Sequence, residues 1–99
     1  MKILLVCAGG ISTSLLMKKM KKYWEEQSIE LEIDAVGISD YSEVYSNYDI
    51  ILVGPQIGYR LEEIKETTNI PCAVIESFDY AVANCPNIME LVNKLYEKK

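Results

Sequence analysis

The stretch KILLVCAGGISTS, residues 2–14, joins a run of apolar side chains to a loop of glycines and hydroxyl residues. The apolar run at residues 2–6 is continuous, which is typical of a parallel strand buried on both faces. After the loop, residues 13–26 carry apolar side chains at helical spacing (Leu16, Met20, Tyr23 and Trp24). The stretch therefore predicts a strand, a loop and a helix in succession, an arrangement that commonly forms an anion pocket.

Cys7 stands at the head of this loop, and two interpretations compete for it. A free cysteine is often a small apolar residue that ends a buried strand. However, residues 7–14 also contain two glycines and three hydroxyl side chains, which do not help a core. The helix start beyond the loop supplies positive potential, which favours a thiolate. Cys7 is thus the candidate nucleophile, facing a loop suited to phosphate.

Strand and helix patterns alternate along the rest of the chain. The strands are predicted at residues 29–36, 49–53 and 72–75; the helices are predicted at residues 40–48, at 58–67 and from Pro86 onward, with a loop at 76–85. Residues 29–36 alternate as a half-covered edge strand does. This order predicts an α/β, flavodoxin-like fold, with a four-stranded parallel sheet of order 2-1-3-4 and helices on both faces.

The predicted strand order also locates a site. Ligands of such sheets bind beyond the carboxyl ends of the strands, where the strand order reverses. Here that point lies between the first and third strands, so the Cys7 loop and the loop Gly54-Pro55-Gln56 meet there. The loop after Ile75 opens on the same edge.

Composition limits the classes of protein that fit. Residues 1–99 are predicted to form one domain, and the net charge of −5 argues against nucleic-acid binding. The chain has no histidine, which excludes a Ser-His-Asp triad, a Cys-His dyad and most zinc sites. Three cysteines without a C-x-x-C motif, and no signal or membrane-spanning pattern, predict a cytoplasmic protein. We expect neither a metal nor a cofactor.

One basic cluster interrupts this acidic chain. Lys18, Lys19, Lys21 and Lys22 fall on the predicted first helix. The first interpretation is a solvated helix face, and the second is a role in partner docking.

A cysteine at the head of a phosphate loop permits a phosphatase or a phosphocarrier. Low-molecular-weight cysteine phosphatases, whose loop this one resembles, use the pattern C-x-x-x-x-x-R-S, in which the arginine clamps the transferred phosphoryl group. Thr13 and Ser14 occupy the last two positions of that pattern here. A hydroxyl can donate a hydrogen bond to phosphate but supplies no full charge. Slow hydrolysis suits a carrier, whose phosphothiol must persist until the acceptor arrives.

The loop resembles that of a known family. Cys7-x-x-Gly10-Ile11-Ser12-Thr13-Ser14 is similar to the C-x-x-G-M-S-T-S loop of enzyme IIB from the lactose/cellobiose/chitobiose branch of the bacterial sugar phosphotransferase system. Residues 52–59 resemble its second signature, L-L-G-P-Q-I-x-Y, and Glu76 with Tyr80 resembles its third loop. Ile11 replaces the usual methionine, and Ala81 stands where glycine is frequent.

The resemblance implies a mechanism and its partners. Cys7 would accept a phosphoryl group from a phosphohistidine of enzyme IIA and pass it to a sugar, such as cellobiose, chitobiose or lactose, held by membrane enzyme IIC. The carrier would be monomeric and would act at the inner face of the membrane. The phosphate would be bound by the loop and first helical turn (Gly9, Gly10, Ile11, Ser12, Thr13 and Ser14), with Gln56, Tyr59 and Tyr80 at the pocket rim.

Two alternatives stay open, and two cysteines need assignments. The alternatives are a phosphatase-like enzyme without the loop arginine and a non-catalytic flavin- or nucleotide-binding module of the same fold. Cys72 falls inside a predicted strand and is expected in the core. Cys85 is expected at the surface or at a helix cap, where oxidation could pair it with Cys7.

Overall fold

The computed structural model describes residues 1–8 and 13–98. Within these ranges, the strands β1 to β4 cover Lys2–Cys7, Glu32–Gly37, Ile50–Val53 and Cys72–Val74. The α-helices α1 to α5 cover Thr13–Glu26, Tyr41–Val44, Leu61–Thr68, Ser77–Val82 and Cys85–Glu97, and 3-10 helices cover Tyr45–Asn47 and Pro55–Arg60. Across the described ranges, no helix is both long and apolar enough to cross a lipid bilayer.

The strands form one parallel sheet of order β2-β1-β3-β4, which confirms the predicted fold class. Its register brings the carboxyl ends of three strands level. Val6 of β1 pairs with Val53 of β3, and Val53 pairs in turn with Val74 of β4. The segments that follow these strands therefore leave the sheet at one edge, which we call the carboxyl edge.

Both faces of β1 are buried, as its continuous apolar pattern predicted. Ile3 and Leu5 belong to one core cluster, and Leu4 and Val6 belong to a second on the opposite face. Helices α1 and α5 contribute to the first cluster through Leu16, Met20, Trp24, Ile88, Val92 and Leu95. Helices α2 and α3 contribute to the second through Tyr41 and Ile64. Helices thus cover both faces of the sheet, as predicted.

The loop predicted at residues 76–85 is wrong, because a short helix lies within it. Helix α4 follows Glu76, whose carbonyl accepts a hydrogen bond from the amide of Tyr80 at 2.9 Å. It ends at Ala83, which takes a left-handed conformation with φ 52°. No residue of α4 is buried, so the helix lacks the buried apolar face that marks α1, α3 and α5. Helix α5 then begins at Cys85, one residue before the predicted start.

Two further boundaries differ from the predictions by three residues each. Strand β2 begins at Glu32 rather than at residue 29, because a turn follows α1: Ser28 has φ 60°, and the amide of Ile29 donates to the carbonyl of Trp24 at 2.9 Å. Residues 58–60 belong to the 3-10 helix Pro55–Arg60, and α3 begins only at Leu61. The weak helix predicted at residues 40–48 is α2 followed by the 3-10 helix Tyr45–Asn47.

Tyr48 links the segment before β3 to edge strand β2, and this contact predicts a pH dependence. Its hydroxyl donates to Asp34 Oδ2 at 2.8 Å, and that hydrogen bond, followed by burial, raises the pKa of Tyr48 above its ordinary value of 10.0. As the pH rises, Tyr48 therefore ionises in the unfolded chain before it ionises in the folded chain. The contribution of Tyr48 to the free energy of unfolding is therefore complete below about pH 10 and is lost as the pH rises through the folded pKa.

Urea unfolding of the parent chain and of Tyr48→Phe, measured from about pH 8 to pH 11, tests this prediction. The parent is expected to lose stability more steeply above about pH 10 than the variant does. The other tyrosines contribute alike to both proteins. Parallel curves for the two proteins would contradict the role assigned to the Tyr48–Asp34 hydrogen bond.

Candidate active site

Cys7 is the last residue of β1 and lies at the carboxyl edge. Its side chain is only 2% exposed, and its Sγ donates a hydrogen bond to the carbonyl oxygen of Val36 at 3.5 Å. The carbonyl of Cys7 accepts the amide of Ile38 at 2.9 Å. Strand β2 and the residue that follows it thus hold the thiol and the backbone of Cys7, so the candidate nucleophile has a defined position.

The predicted phosphate loop lies only partly within the described residues. Gly9, Gly10, Ile11 and Ser12 fall outside them, as does the side chain of Thr13. Thr13 is the first residue of α1, and Ser14 is exposed in its first turn. That turn contains no acidic residue, so the first turn of α1 itself places no carboxylate at the positive end of the helix, where an anion would bind. Phosphate binding by residues 9–14 stays a prediction.

Gly54 brings the second loop next to Cys7. The amide of Gly54 donates to the carbonyl of Val6 at 2.8 Å. A Cβ atom built on Gly54 would lie 3.6 Å from the Cβ of Cys7 and 3.1 Å from Oε1 of Gln56. The Gln56 amide oxygen and the Cβ of Cys7 therefore border the same space beside the Cα of Gly54. The structure brings together these two predicted site residues, and the absence of a side chain at Gly54 makes room for that approach.

Tyr59 and Arg60 end the 3-10 helix that follows Gly54. Tyr59 is 81% exposed at the carboxyl edge. Arg60 is the only arginine in the chain, and its guanidinium donates to Glu63 Oε2 from Nε at 2.9 Å and from Nη2 at 2.6 Å. The hydrogen bond to Glu63 raises the pKa of Arg60 above its ordinary value. This arginine is thus engaged in a surface ion pair.

Tyr80 lies on α4, half-buried against the first core cluster. Phe78 and Val82 of the same helix are instead 64% and 50% exposed. Sequence reasoning missed these two residues because it predicted a loop here. The signal that could have found them is the apolar pair at spacing i, i+4 directly after a strand that ends at the carboxyl edge.

The other cysteines are buried free thiols. Cys72 begins β4 and lies in the second core cluster, as predicted. Cys85 lies in the first cluster and is only 7% exposed, so its expected surface position is wrong. Asn84 caps α5 by accepting the amide of Asn87 at 3.4 Å, and the helix begins with Cys85 facing the core. Burial raises the pKa of both the Cys72 and the Cys85 thiols.

Comparison with known proteins shows that the chain matches a known family. The family described as "PTS system, Lactose/Cellobiose specific IIB subunit" matches residues 2–91. The oligo-beta-mannoside-specific EIIB component of Bacillus subtilis (strain 168) is 40% identical over 86 residues, which cover 84% of this chain and 84% of that protein.

Two further relatives differ in their stated sugar and organisation. A solution structure of the cellobiose-specific phosphotransferase IIB component from Borrelia burgdorferi superposes with a TM-score of 0.83 at 35% identity, covering 100% of this chain and 94% of that one. The lactose-specific EIICB component of Staphylococcus epidermidis is 30% identical over 67 residues, which cover 68% of this chain but 12% of that protein.

Proposed function

Because this chain belongs to the lactose/cellobiose-specific IIB family of the sugar phosphotransferase system, we propose that Cys7 carries the phosphoryl group. As an IIB component, the chain is a phosphotransferase that takes part in sugar phosphorylation. The observation that carries the proposal is the position of Cys7. A buried, hydrogen-bonded thiol ends β1 beside Gly54, and in the sequence it precedes by six residues a helix whose first turn has no acidic residue.

The proposed transfer has two steps. The Cys7 sulfur attacks the phosphorus of a phosphohistidine on enzyme IIA, so that an S–P bond forms, the N–P bond breaks, and the thiol proton ends on the released imidazole. A sugar hydroxyl held by enzyme IIC then attacks the same phosphorus, so that an O–P bond forms, the S–P bond breaks, and the hydroxyl proton ends on the released Cys7 sulfur. Residues 9–14 would hold the phosphoryl group through backbone amides and hydroxyls, at the positive end of α1.

The carrier is favoured over a phosphatase by the position of Arg60. A cysteine phosphatase needs a guanidinium on the transferred oxygens. The only arginine of this chain is bound to Glu63 instead. The flavin- or nucleotide-binding alternative gives Cys7 no function.

We place the carrier as one domain, residues 1–99, acting as a monomer on the cytoplasmic face of the membrane beside enzyme IIC. The EIICB relative unites both components in one chain, which supports docking on IIC. The proposed sugar is a β-linked disaccharide of the cellobiose, chitobiose or lactose type. The stated sugars of the relatives differ, so transport assays with each sugar and the cognate IIC are needed to choose among them.

Intact mass measurement tests the carrier directly. The chain is incubated under reducing conditions with phosphoenolpyruvate, the general phosphotransferase proteins and a lactose/cellobiose-type enzyme IIA, beside a working IIB as positive control. One added phosphoryl group, dependent on phosphoenolpyruvate, is expected. No adduct with several IIA proteins would contradict the proposal. Turnover of an aryl phosphate would support the phosphatase, and a yellow purified protein would support a flavin module.

Gly54→Ala is expected to slow phosphoryl acceptance while leaving the chain folded. Gly54 has φ −63° and ψ 145°, which alanine adopts without strain. The added methyl would lie 3.1 Å from Gln56 Oε1 and 3.6 Å from the Cβ of Cys7, so it would fill the space beside the reacting residue. A donor phosphoryl group held out of line by this methyl is expected to react about tenfold or more slowly. Single-turnover transfer from phosphorylated IIA measures this rate.

Gly58→Ala is the matched control for this prediction. Its new methyl would meet the side chain of Val74, at 3.3 Å from Cγ1, rather than Gln56 or Cys7. The control is expected to retain the transfer rate within about twofold, since it leaves the reacting group in place. Equal slowing by both substitutions would contradict a specific role for the space above Gly54.

A further inference from the structure

Helix α1 presents an exposed basic face next to the active loop. Lys18, Lys19, Lys21 and Lys22 are all exposed, and none forms a salt bridge with any residue in the ranges 1–8 and 13–98. They account for four of the ten cationic side chains in a chain of net charge −5. A concentration of unpaired charge opposite in sign to the whole chain is suited to recognition rather than to stability.

The basic face lies on the helix that follows the Cys7 loop in the sequence, and it begins with an exposed apolar residue. Leu15, Lys18 and Lys22 follow one another at spacings of three and four residues, so they form one row on the helix surface. Leu15 is 61% exposed in the first turn. Lys18 lies about 7 to 8 Å along the axis from the helix start, within about one Debye length at physiological salt. The acidic residues of α1, Glu25 and Glu26, lie at its far end.

Exposed apolar side chains surround the same edge of the sheet. Tyr59 follows β3, and Phe78 and Val82 follow β4, while Leu15 follows the β1 loop. An apolar centre flanked by charged residues is the usual composition of a protein–protein interface. The net charge of −5 disfavours approach of the whole chain to an anionic bilayer. The surface is therefore better suited to an acidic protein than to lipid.

We infer that the row Leu15, Lys18 and Lys22 is the docking surface for an acidic face of the phosphohistidine-bearing donor protein, an inference that rests on the proposed function. The donor arrives with the negative charge of its phosphoryl group, to which the lysine row is attracted. After transfer, the negative charge of the phosphoryl group lies on Cys7 of this chain, where it reduces the positive electrostatic potential of the lysine row. Attraction to the spent donor then falls, which favours its release.

Charge reversal at Lys18 and Lys22 tests the inference. At low salt, Lys18→Glu/Lys22→Glu is expected to lower kcat/KM for phosphoryl acceptance from phosphorylated IIA by about 10- to 100-fold, with kcat at saturating donor unchanged. The defect is expected to shrink in about 0.5 M salt. Lys94→Glu/Lys98→Glu makes the same change in net charge on the last turn of α5 and its cap, and it is expected to stay within about twofold of the parent.

The outcomes separate this inference from the proposed function. If the parent chain accepts no phosphoryl group, the proposed function fails. If the parent is phosphorylated and both double variants match it in kcat/KM, the docking surface is overturned. A fall in kcat without a rise in KM would place the lysines in the chemistry and overturn docking. Loss of binding to anionic phosphatidylserine vesicles, with donor kinetics intact, would assign the row to lipid and likewise overturn it. Circular dichroism verifies that each variant is folded.

Discussion

Cys7→Ser is expected to accept no detectable phosphoryl group from phosphorylated enzyme IIA. The serine hydroxyl can keep the hydrogen bond to the Val36 carbonyl, so the fold is expected to persist. A hydroxyl is a poor nucleophile unless a neighbouring base activates it, and the chain has no histidine. Loss of an enzyme's nucleophile can lower the rate by about 10⁶-fold, and intact mass measurement is expected to show only unmodified protein.

Cys85→Ala is the control for this substitution. It removes a thiol that is buried in the first core cluster and that the proposed transfer does not use. The control is expected to gain one phosphoryl group, as the parent does, although its stability falls slightly. An adduct on the Cys7→Ser chain, or its loss from Cys85→Ala alone, would contradict the assignment of Cys7 as the acceptor.

Trp24→Ala is expected to lower the free energy of unfolding by about 3 to 5 kcal/mol. Trp24 is wholly buried in the first core cluster, on the face of α1 that packs against the sheet. A small domain has only about 5 to 15 kcal/mol of stability in total, so the variant is expected to be near its unfolding transition at growth temperature. Urea unfolding followed by circular dichroism measures the loss.

Trp24→Phe distinguishes the contribution of the aromatic ring from that of the indole N–H, because phenylalanine keeps a ring and lacks the N–H. The indole Nε1 of Trp24 is buried without a hydrogen-bond acceptor among the described residues, and such a donor costs about 1 to 3 kcal/mol. Phenylalanine leaves a smaller cavity than alanine and removes the unpaired donor. We expect the Phe variant to lose much less stability than the Ala variant. Equal losses would show that the indole N–H has a stabilising partner.

The parts of the fold that the sequence predicts well are those with one dominant signal. The continuous apolar run of β1 and the helical spacing of residues 13–26 correspond closely to the observed elements. Helix α4 escaped prediction because none of its residues is buried and its start depends on a backbone hydrogen bond to Glu76. Short elements held by backbone contacts leave little pattern in a sequence.

The candidate site could be predicted in outline but not in detail. The predicted strand order alone brought Cys7 and the Gly54 loop to one edge of the sheet. In the structure, the Cβ of Cys7 lies 3.6 Å from the position that a Cβ atom on Gly54 would occupy. That Gln56 folds back over Gly54 depends on a side-chain conformation, and that Arg60 turns to Glu63 depends on a local ion pair. Residue spacing does not encode the conformation of Gln56, whereas the i, i+3 spacing of Arg60 and Glu63 permits their ion pair without requiring it. Residues 9–12 lie outside the described ranges, so their phosphate contacts stay predictions.

The central place of β1 has a consequence for synthesis on the ribosome. β1 is made first, yet its hydrogen-bonding partners are β2 and β3, and its pairing with β3 extends to Val53. The nascent strand therefore cannot form all of its hydrogen bonds to β2 and β3 until Val53, more than halfway along these 99 residues, has left the exit tunnel. Until then its apolar side chains and the Cys7 thiol stay open to solvent. We expect chaperones and oxidants to compete for this segment during translation, before the finished sheet encloses it.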